Sequence, residues 1–550
     1  MKLFQKLLLA PAALGLLAPV AANAADVNIA GLSQYGPSSA SGRAAEQVTS
    51  ITQFSDVQPT DWAYQALSNL IERYGCVAGY PNGTYRGNRA MTRYEAAALL
   101  NACLDRITEV TDELKRLMKE FERELAVLRG RVDGLEARVG ELEATQFSTT
   151  TKLRGQSTFV LGALNFGGTN TTSRDLYNQR QGGTTFNYDV RLNFDTSFTG
   201  TDLLRTTLRT GNFSSSGFGN GRYPWQLEAA FQECTIGYDC ENTLNVNRLF
   251  YRFNASKDIV LGVGGLIRQD DLLAMWPSVY PADSILDFFT RAGAPGAYSL
   301  NLGSGAGGWL KKGDWSLSAS YIAATGNAGN PSGWGRDKGG IGTRYSNATG
   351  SVQLGYQKEQ WGAAALYNYT TPFDYSQVYG GGATRAAAFV PAIADSTNSF
   401  ALSAYWQPSN AGLVPSISAG WGWNSSNGFS ASTLPNVSYL KPVFSNWKGN
   451  ITSQSWSVGL QWDDVLVKGN ELGMGVGQMT FITSGIDLPA TDGNYAWEWW
   501  YKLQMTDNIS VTPALFYQSR PYGAVSGRRS DNPTSTFSAL GGLIKTTFKF

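Results

Sequence analysis

The hydrophobic and polar positions of this chain change their spacing near residue 150. Before that point, apolar residues recur at steps of three and four, which is typical of helices. After it, they recur at every second position, which is typical of strands whose two faces meet different surroundings. Phe186 to Asp195 alternates without interruption, and Trp497 to Leu503 repeats the pattern. The spacing predicts a helical N-terminal part followed by a long, mainly β part.

Sixteen alternating segments are predicted between residues 152 and 550, and their connections are short and long in turn. The sixth is predicted over residues 297–310 and the last over 536–550. A soluble antiparallel sheet would alternate in the same way, but charged residues at the polar positions favour a water-filled interior. An even number of antiparallel strands can close without leaving an edge in lipid. We therefore predict a transmembrane antiparallel β-barrel of about 16 strands over residues 152–550.

Composition and the N-terminal residues favour export. Residues 1–24 combine a basic start, an apolar run and Ala22-Asn23-Ala24, which predicts a cleaved signal peptide, and residues 25–52 predict a flexible leader. The 62 Gly, 16 Trp, 26 Tyr and 26 Phe suit curved strands and aromatic girdles. A net charge of +1 disfavours nucleic-acid binding, and the lack of His lowers the expectation of an enzyme. No cofactor or metal site is predicted.

Four cysteines fall into two pairs, Cys76 with Cys103 and Cys234 with Cys240. An oxidising periplasm permits disulfides, so both pairs are candidate bridges. Buried free thiols are the alternative. No cysteine spacing resembles a zinc site.

Residues 53–103 carry four motifs in order: F-x-D-V, W-A-x-x-A-L, G-Y-P-x-G-x-Y-R and T-R-x-E. This order resembles an S-layer homology domain, and the resemblance implies binding of a cell-wall polymer, often through acidic or pyruvylated sugars. Arg93 is the leading candidate for meeting an anionic group, because a guanidinium forks onto carboxylates and phosphates. Asp56, Trp62 and Arg86 are further candidates. The alternative for Asp56 and Trp62 is that they cap and pack.

Residues 104–145 repeat apolar side chains at alternating steps of three and four, with charged residues on the other faces. This spacing predicts a coiled coil, with one irregular step at Phe121. An amphipathic helix packed on a neighbouring element is the alternative.

The order of signal peptide, one S-layer homology domain, coiled coil and barrel resembles the cyanobacterial outer-membrane porins of the carbohydrate-selective porin superfamily. Ile544 to Phe550, which alternates and stops on Phe, also resembles the terminal strand of bacterial outer-membrane barrels. The superfamily's name does not establish sugar selectivity for this chain, because no dense aromatic ladder can be assigned to a sugar path from the sequence.

In general porins the third long loop folds into the lumen and narrows it, and the resemblance implies the same for residues 268–296. This loop mixes apolar and charged residues and contains less Gly and Ser than the other long loops. A surface loop whose Asp residues cap turns is the alternative. The candidate constriction charges are Arg268, Asp270, Asp271, Asp283, Asp287 and Arg291. The facing wall candidates, by alternation, are Arg191, Arg205, Arg209, Arg248 and Arg252.

The predicted function is an outer-membrane porin for passive diffusion of small solutes and inorganic ions. The predicted partners are membrane lipid, peptidoglycan-linked polysaccharide bound by an N-terminal domain in the periplasm, and two further copies in a homotrimer gathered by the coiled coil. A channel selective for sugars or chelated iron is one alternative. A structural tether with a plugged barrel is the second. An outer-membrane enzyme is the third, and the sequence offers no nucleophile with a positioned base for it.

Overall fold

A computed structural model gives the structure of residues 50–61, 64–69, 71, 84–85, 119–123, 150–219, 223–230, 241–332, 339–372, 379–428, 447–487, 492–526 and 535–550. The chain separates into two compact units, Met1–Gln146 and Phe147–Phe550. Within the described ranges, no helix has the length and apolar character needed to cross a bilayer.

The first unit has a small apolar core. A 3-10 helix, Ile51–Gln53, and the helix α1, Tyr64–Asn69, bring together Ile51, Phe54, Leu67 and Ile71, each less than a tenth exposed. The backbone N–H of Tyr85 donates to Oδ1 of Asp56 at 2.6 Å, so this carboxylate ties two distant segments together. Asp56 therefore has the structural contact expected of the capping alternative.

Several sequence predictions in the first unit lie outside the described residues. They include the signal peptide, residues 25–49 of the leader, Trp62, Arg86, Arg93 and the pair Cys76 and Cys103. The last residues of the predicted leader are described, and there Ile51 belongs to the 3-10 helix and the apolar core. Of the predicted coiled coil, only residues 119–123 are described, and there helical residues flank a turn at the half-buried Phe121. The coiled coil stays a prediction.

The second unit is a closed barrel of sixteen antiparallel strands. Their number and order confirm the sequence prediction. The strands are β1 (Thr151–Gly167), β2 (Thr185–Thr196), β3 (Leu203–Gly211), β4 (Asn245–Asn254), β5 (Ile259–Arg268), β6 (Leu302–Lys312), β7 (Trp315–Ala323), β8 (Ala348–Gln357), β9 (Trp361–Thr370), β10 (Ser396–Trp406), β11 (Ser416–Asn427), β12 (Trp447–Asp463), β13 (Glu471–Ile486), β14 (Tyr495–Thr506), β15 (Ile509–Ser519) and β16 (Ser538–Lys549).

The barrel closes where β16 pairs with β1, from Gln156 opposite Lys549 to Gly167 opposite Ser538. Phe550 extends this contact, because its N–H donates to the carbonyl of Gly155 at 3.0 Å. Closure leaves no free strand edge, which is the condition for a sheet in lipid.

Alternation decides which face of each strand meets lipid. In β7, Trp315 and Leu317 are 55% and 48% exposed, whereas Ser316 and Ser318 between and beside them are buried. Phe400 and Leu402 on β10 face outward in the same way, while Ser399 and Ser403 are buried. The outer surface is therefore apolar and the inner surface polar, as a barrel immersed in a membrane requires.

Short turns join the strands at the end of the barrel where β1 begins and β16 finishes, and long loops join them at the other end. The first long loop contains α2, Thr171–Gln181, whose N-cap Asn170 accepts a hydrogen bond from the N–H of Ser173 at 2.9 Å. The loop between β9 and β10 contains a single helical turn, α3, Val390–Ile393. Neither helix was predicted from the sequence.

Much of the core lies inside the long-loop end of the barrel. Inward residues of β1 and of β13 to β16 pack there against residues of four long loops. The cluster includes Phe166, Phe213, Trp225, Leu286, Phe288, Phe289, Phe389, Trp500, Phe516, Tyr522 and Phe537. Long loops thus fold inward and occupy part of the lumen.

Candidate functional site: the narrowed lumen

The β5–β6 loop, residues 269–301, enters the barrel and runs along its inner wall. Its backbone N–H groups donate to wall side chains: Ala274 to Ser318 Oγ at 3.0 Å, and Val279 to Ser418 Oγ at 3.0 Å. Wall hydroxyls of Ser403 on β10 and Ser455 on β12 donate to carbonyls of Ala292 and Gly293 at 2.8 and 2.9 Å. Buried backbone groups of a loop need such partners. The inward serines of β7 to β12 supply them.

Glycines let the loop approach the wall closely. A Cβ on Gly475 would lie 2.9 Å from both the Phe289 ring and the Tyr280 hydroxyl oxygen, and one on Gly355 would lie 2.6 Å from Met275 Sδ. A side chain at either of these two wall positions would therefore collide with the loop.

Two wall side chains hold the middle of the loop. Glu498 on β14 is fully buried and accepts from the Tyr280 hydroxyl at 2.7 Å and from the Leu286 N–H at 2.9 Å. Lys545 on β16 forms an ion pair with Asp283 and donates to the Ser284 carbonyl at 2.6 Å. Both buried side chains thus have hydrogen-bonding partners in the loop, as the burial of polar groups requires.

Asp287 and Arg291 form an ion pair inside the packed part of the loop. They are 3.0 Å apart and about 3% exposed, and Arg291 also donates to the Ser299 carbonyl at 2.6 Å. The N–H of Gly381, from the β9–β10 loop, donates to Asp287 Oδ2 at 2.9 Å. The geometry gives this pair a structural part in joining two loops. Their contact with passing ions stays a prediction.

The opposite wall, formed by β1 to β4, carries arginines that share carboxylates. Asp189 accepts from Arg191 Nε at 2.8 Å and from Arg209 Nε at 2.6 Å. Asp195 accepts from Arg205 Nε at 2.7 Å and from Arg154. Here the arginines of one strand lie beside those of the next, because Arg191 pairs in register with Arg209.

The start of the β5–β6 loop faces this wall. Arg268 lies 2.5 Å from Asp270, and Arg248 of β4 lies 3.2 Å from Asp271. Arg252 donates to the Asp271 carbonyl at 3.2 Å and lies over the Trp309 ring. Burial raises the pKa of Asp270, but the charges of Arg268 and Arg248 outweigh it and hold that pKa at about 2. Burial and the neighbouring Asp270 raise the pKa of Asp271.

Glu228, in a 3-10 helix of the β3–β4 loop, completes the charged group. It lies 3.1 Å from Arg191. Burial raises the pKa of Glu228, but the charges of Arg191 and Arg209 outweigh it and hold that pKa at about 2. Glu228 is therefore ionised across the physiological pH range.

Sequence reasoning located part of this group. The structure brings Arg191, Arg205, Arg209, Arg248 and Arg252 together with Arg268, Asp270 and Asp271, and it places Asp283 apart, against Lys545. Reasoning from the sequence missed Arg154, Asp189, Asp195 and Lys545, although strand alternation puts them on the inward face with the predicted arginines. It also missed Glu228 and Glu498. Cys234 and Cys240 lie outside the described residues.

Another buried carboxylate joins three elements at the long-loop end of the barrel, away from this group. Asp492, in the β13–β14 loop, accepts from the Thr384 hydroxyl at 2.7 Å, the Ile482 N–H at 2.8 Å and the Ala524 N–H at 2.7 Å. Burial raises the pKa of Asp492 to about 6. Through these hydrogen bonds, Asp492 connects the β9–β10 and β15–β16 loops to β13.

Comparisons with known proteins agree with this architecture. The family model of the carbohydrate-selective porin, OprB family, matches residues 109–550, and that of the S-layer homology domain matches residues 53–97. An uncharacterized protein of Nostoc sp. is 34% identical over 92% of this chain and 86% of its own length. Another, of Synechocystis sp., is 33% identical over 92% of this chain and 92% of its own length.

The remaining likenesses are partial or distant. Outer membrane protein SlpA of Deinococcus radiodurans is 34% identical over 19% of this chain and 10% of its own length. The high-pH structure of Pseudomonas putida OprB covers 73% of this chain and 94% of its own, with a TM-score of 0.44 and 12% identity.

The family match includes every barrel strand, and the two relatives of Nostoc and Synechocystis extend over nearly the whole chain. The chain belongs to the carbohydrate-selective porin OprB family and carries an S-layer homology domain ahead of its barrel.

Proposed function

We propose that this outer-membrane porin is a passive channel for small solutes and inorganic ions, with a narrow passage displaced toward β1 to β4. The observation that carries the proposal is the exposure of charged groups inside the barrel. The side chains of Arg191, Arg205, Arg268, Asp270 and Glu228 each keep between 24% and 28% of their surface exposed. Water therefore reaches this side of the lumen, while the loop seals the side formed by β7 to β14.

The passage performs no chemistry, and the family and fold are those of channels rather than enzymes. Solutes move down their gradients through it. The charges of the β1–β4 wall and of the facing β5–β6 loop set an electric field across the passage. This field favours small charged or strongly polar solutes. The family description favours the alternative, selectivity for sugars.

Liposome swelling separates these functions. We expect swelling in small salts and small polar solutes, with a rate that falls steeply as solute size increases and does not saturate with concentration. Saturable uptake confined to sugars would replace the proposal with the selective alternative. Liposomes that contain folded protein but do not swell in any solute would indicate a plugged tether.

We also propose that the N-terminal domain lies in the periplasm and anchors the barrel to peptidoglycan-linked polymer. The short-turn end of the barrel, where β1 begins, is the end expected to face the periplasm. Because S-layer proteins often carry three homology domains and this chain carries one, a homotrimer joined by the predicted coiled coil would gather three.

Binding of the full-length protein to cell-wall sacculi tests the anchor. We expect Arg93→Ala to weaken binding roughly tenfold, the effect of losing one charge-assisted contact. Arg123→Ala is the matched control, because Arg123 is exposed and lies outside the S-layer homology domain. Equal binding by wild type and Arg93→Ala would remove Arg93 from the proposed contact.

A further inference from the structure

Among the residues that the structure describes, the charged side chains around the passage include more guanidinium groups than carboxylates. Seven guanidinium groups and five carboxylates of the described residues form the ion pairs and contacts on this side of the lumen. They are Arg154, Arg191, Arg205, Arg209, Arg248, Arg252 and Arg268, with Asp189, Asp195, Glu228, Asp270 and Asp271. Lys545 and Asp283 pair with each other and leave this difference unchanged.

The imbalance arises because carboxylates are shared. Asp189 lies between Arg191 and Arg209, and Asp195 lies between Arg205 and Arg154. A single carboxylate neutralises one of its two arginines. Glu228 lies 3.1 Å from Arg191 and offsets the charge left in the Asp189 group, whereas the group of Asp195, Arg205 and Arg154 retains a positive charge. Arg252, which contacts the carbonyl of Asp271 and the ring of Trp309, adds a guanidinium to a wall that is already positive.

In the two groups that share a carboxylate, the carboxylate is buried, and Arg209 is buried with it, but the other three arginines are more exposed. Asp189 and Asp195 are 2% and 8% exposed, whereas Arg191, Arg205 and Arg154 are 24%, 28% and 64% exposed. The wall carboxylates thus lie beneath their arginines, and a solute in the passage meets guanidinium groups first. Glu228 and Asp270 are exposed acids, but each lies against an arginine.

We propose that the passage prefers small inorganic anions over cations of similar size. Guanidinium groups present several N–H donors that can bind halides and oxyanions. They are also weakly hydrated, so an anion can contact them without displacing a tightly held shell of water. The low-dielectric walls of a narrow lumen strengthen this preference, because they focus the field of the excess positive charge. This inference rests on the proposed function, because it requires an open passage.

The test is the reversal potential of the full-length protein in a planar bilayer under a KCl gradient. We expect the sign that corresponds to greater permeability for chloride than for potassium. Arg205→Gln should lower the chloride-to-potassium permeability ratio by about two- to threefold, the effect of one charge several Å away in a mostly aqueous setting. Asp195→Asn should raise the same ratio, because it removes a carboxylate and leaves its arginines.

Lys358→Gln is the matched control, because Lys358 is exposed in the β8–β9 turn, and its removal should leave the ratio unchanged. A shift in the expected direction by either the Arg205 or the Asp195 variant supports the inference even if the other variant inserts poorly. A channel that conducts but passes potassium as well as or better than chloride overturns the anion preference alone. A folded protein without conductance overturns the proposed function, and the anion preference with it.

Discussion

At the scale of single residues, the interior of this barrel serves two different purposes. Serines, glycines and Glu498 on β7 to β14 receive the β5–β6 loop, whereas Arg191 on β2 and Arg205 on β3 keep about a quarter of their surface exposed in the lumen. Strand alternation predicts that all of these residues point inward. It does not distinguish a polar side chain that binds a loop from one that meets solutes.

Glu498 offers the clearest single-residue prediction. Glu498→Gln keeps the size of the side chain but replaces one acceptor oxygen with an NH₂ group, so either the Tyr280 hydroxyl or the Leu286 N–H loses its partner. Leaving a buried donor unpaired costs about 1–3 kcal/mol. We expect a lower unfolding temperature and noisier single-channel currents, because the loop is held less firmly.

Glu359→Gln provides the comparison, since Glu359 is exposed in the β8–β9 turn. If Glu498→Gln matched wild type in both unfolding temperature and current noise, the position of the loop would not depend on the hydrogen bonds of Glu498.

The residues that sequence reasoning missed show why a site is harder to predict than a strand. Asp189 and Asp195 could have been predicted as inward-facing, because they lie on the same face of β2 as Arg191. Glu228 was not, because its place depends on how the β3–β4 loop folds back to within 3.1 Å of Arg191. Alternation predicts which face of the sheet a strand residue lies on, but no comparable rule predicts the path of a long loop.

At the scale of elements, the strands followed the sequence closely and the long loops did not. The sixth strand was predicted over residues 297–310 and occupies Leu302–Lys312, because the residues before it belong to the packed loop. Helix α2 was missed because its sequence, TTSRDLYNQRQ, is polar and has no apolar face at helical spacing. Its stability comes from local capping by Asn170 and from Tyr177, whose ring packs against Phe166 and Trp225.

Asp492 is expected to make the stability of the folded barrel, through the contacts between its outer loops, depend on pH. Its pKa is about 6 in the folded protein, above its ordinary value of 3.8, so the folded state binds this proton more tightly. The resulting contribution to stability is fully present below about pH 4 and is lost as the pH rises through 6. Two pKa units correspond to about 3 kcal/mol.

We expect the unfolding temperature of wild type to fall between pH 4 and pH 7 more than that of Asp492→Asn, which cannot titrate at this position. Heat-modifiable migration of the folded barrel, measured across this pH range, provides the readout. Asp507→Asn, in an exposed turn, should keep the wild-type pH profile. Parallel profiles for wild type and Asp492→Asn would show that this carboxylate does not control the loops.

At the scale of the whole molecule, the chain combines a barrel that is narrowed from within and an N-terminal unit whose motifs match a cell-wall-binding family. The sequence predicted both because each has its own periodicity: two residues in the barrel, and helical spacing with ordered motifs before it. It could not predict how much of the lumen stays open, because this depends on the contacts between the β5–β6 loop and wall strands that are far apart in the chain.

Single-channel conductance of the full-length protein in a planar bilayer tests the central claim most directly. The account predicts discrete, stable current steps that are smaller than those of a Phe288→Ala, Phe289→Ala double variant, in which the packed half of the lumen is loosened. Folded wild-type protein that inserts into the bilayer but adds no current would contradict it, because the charged side of the lumen would then be closed to ions.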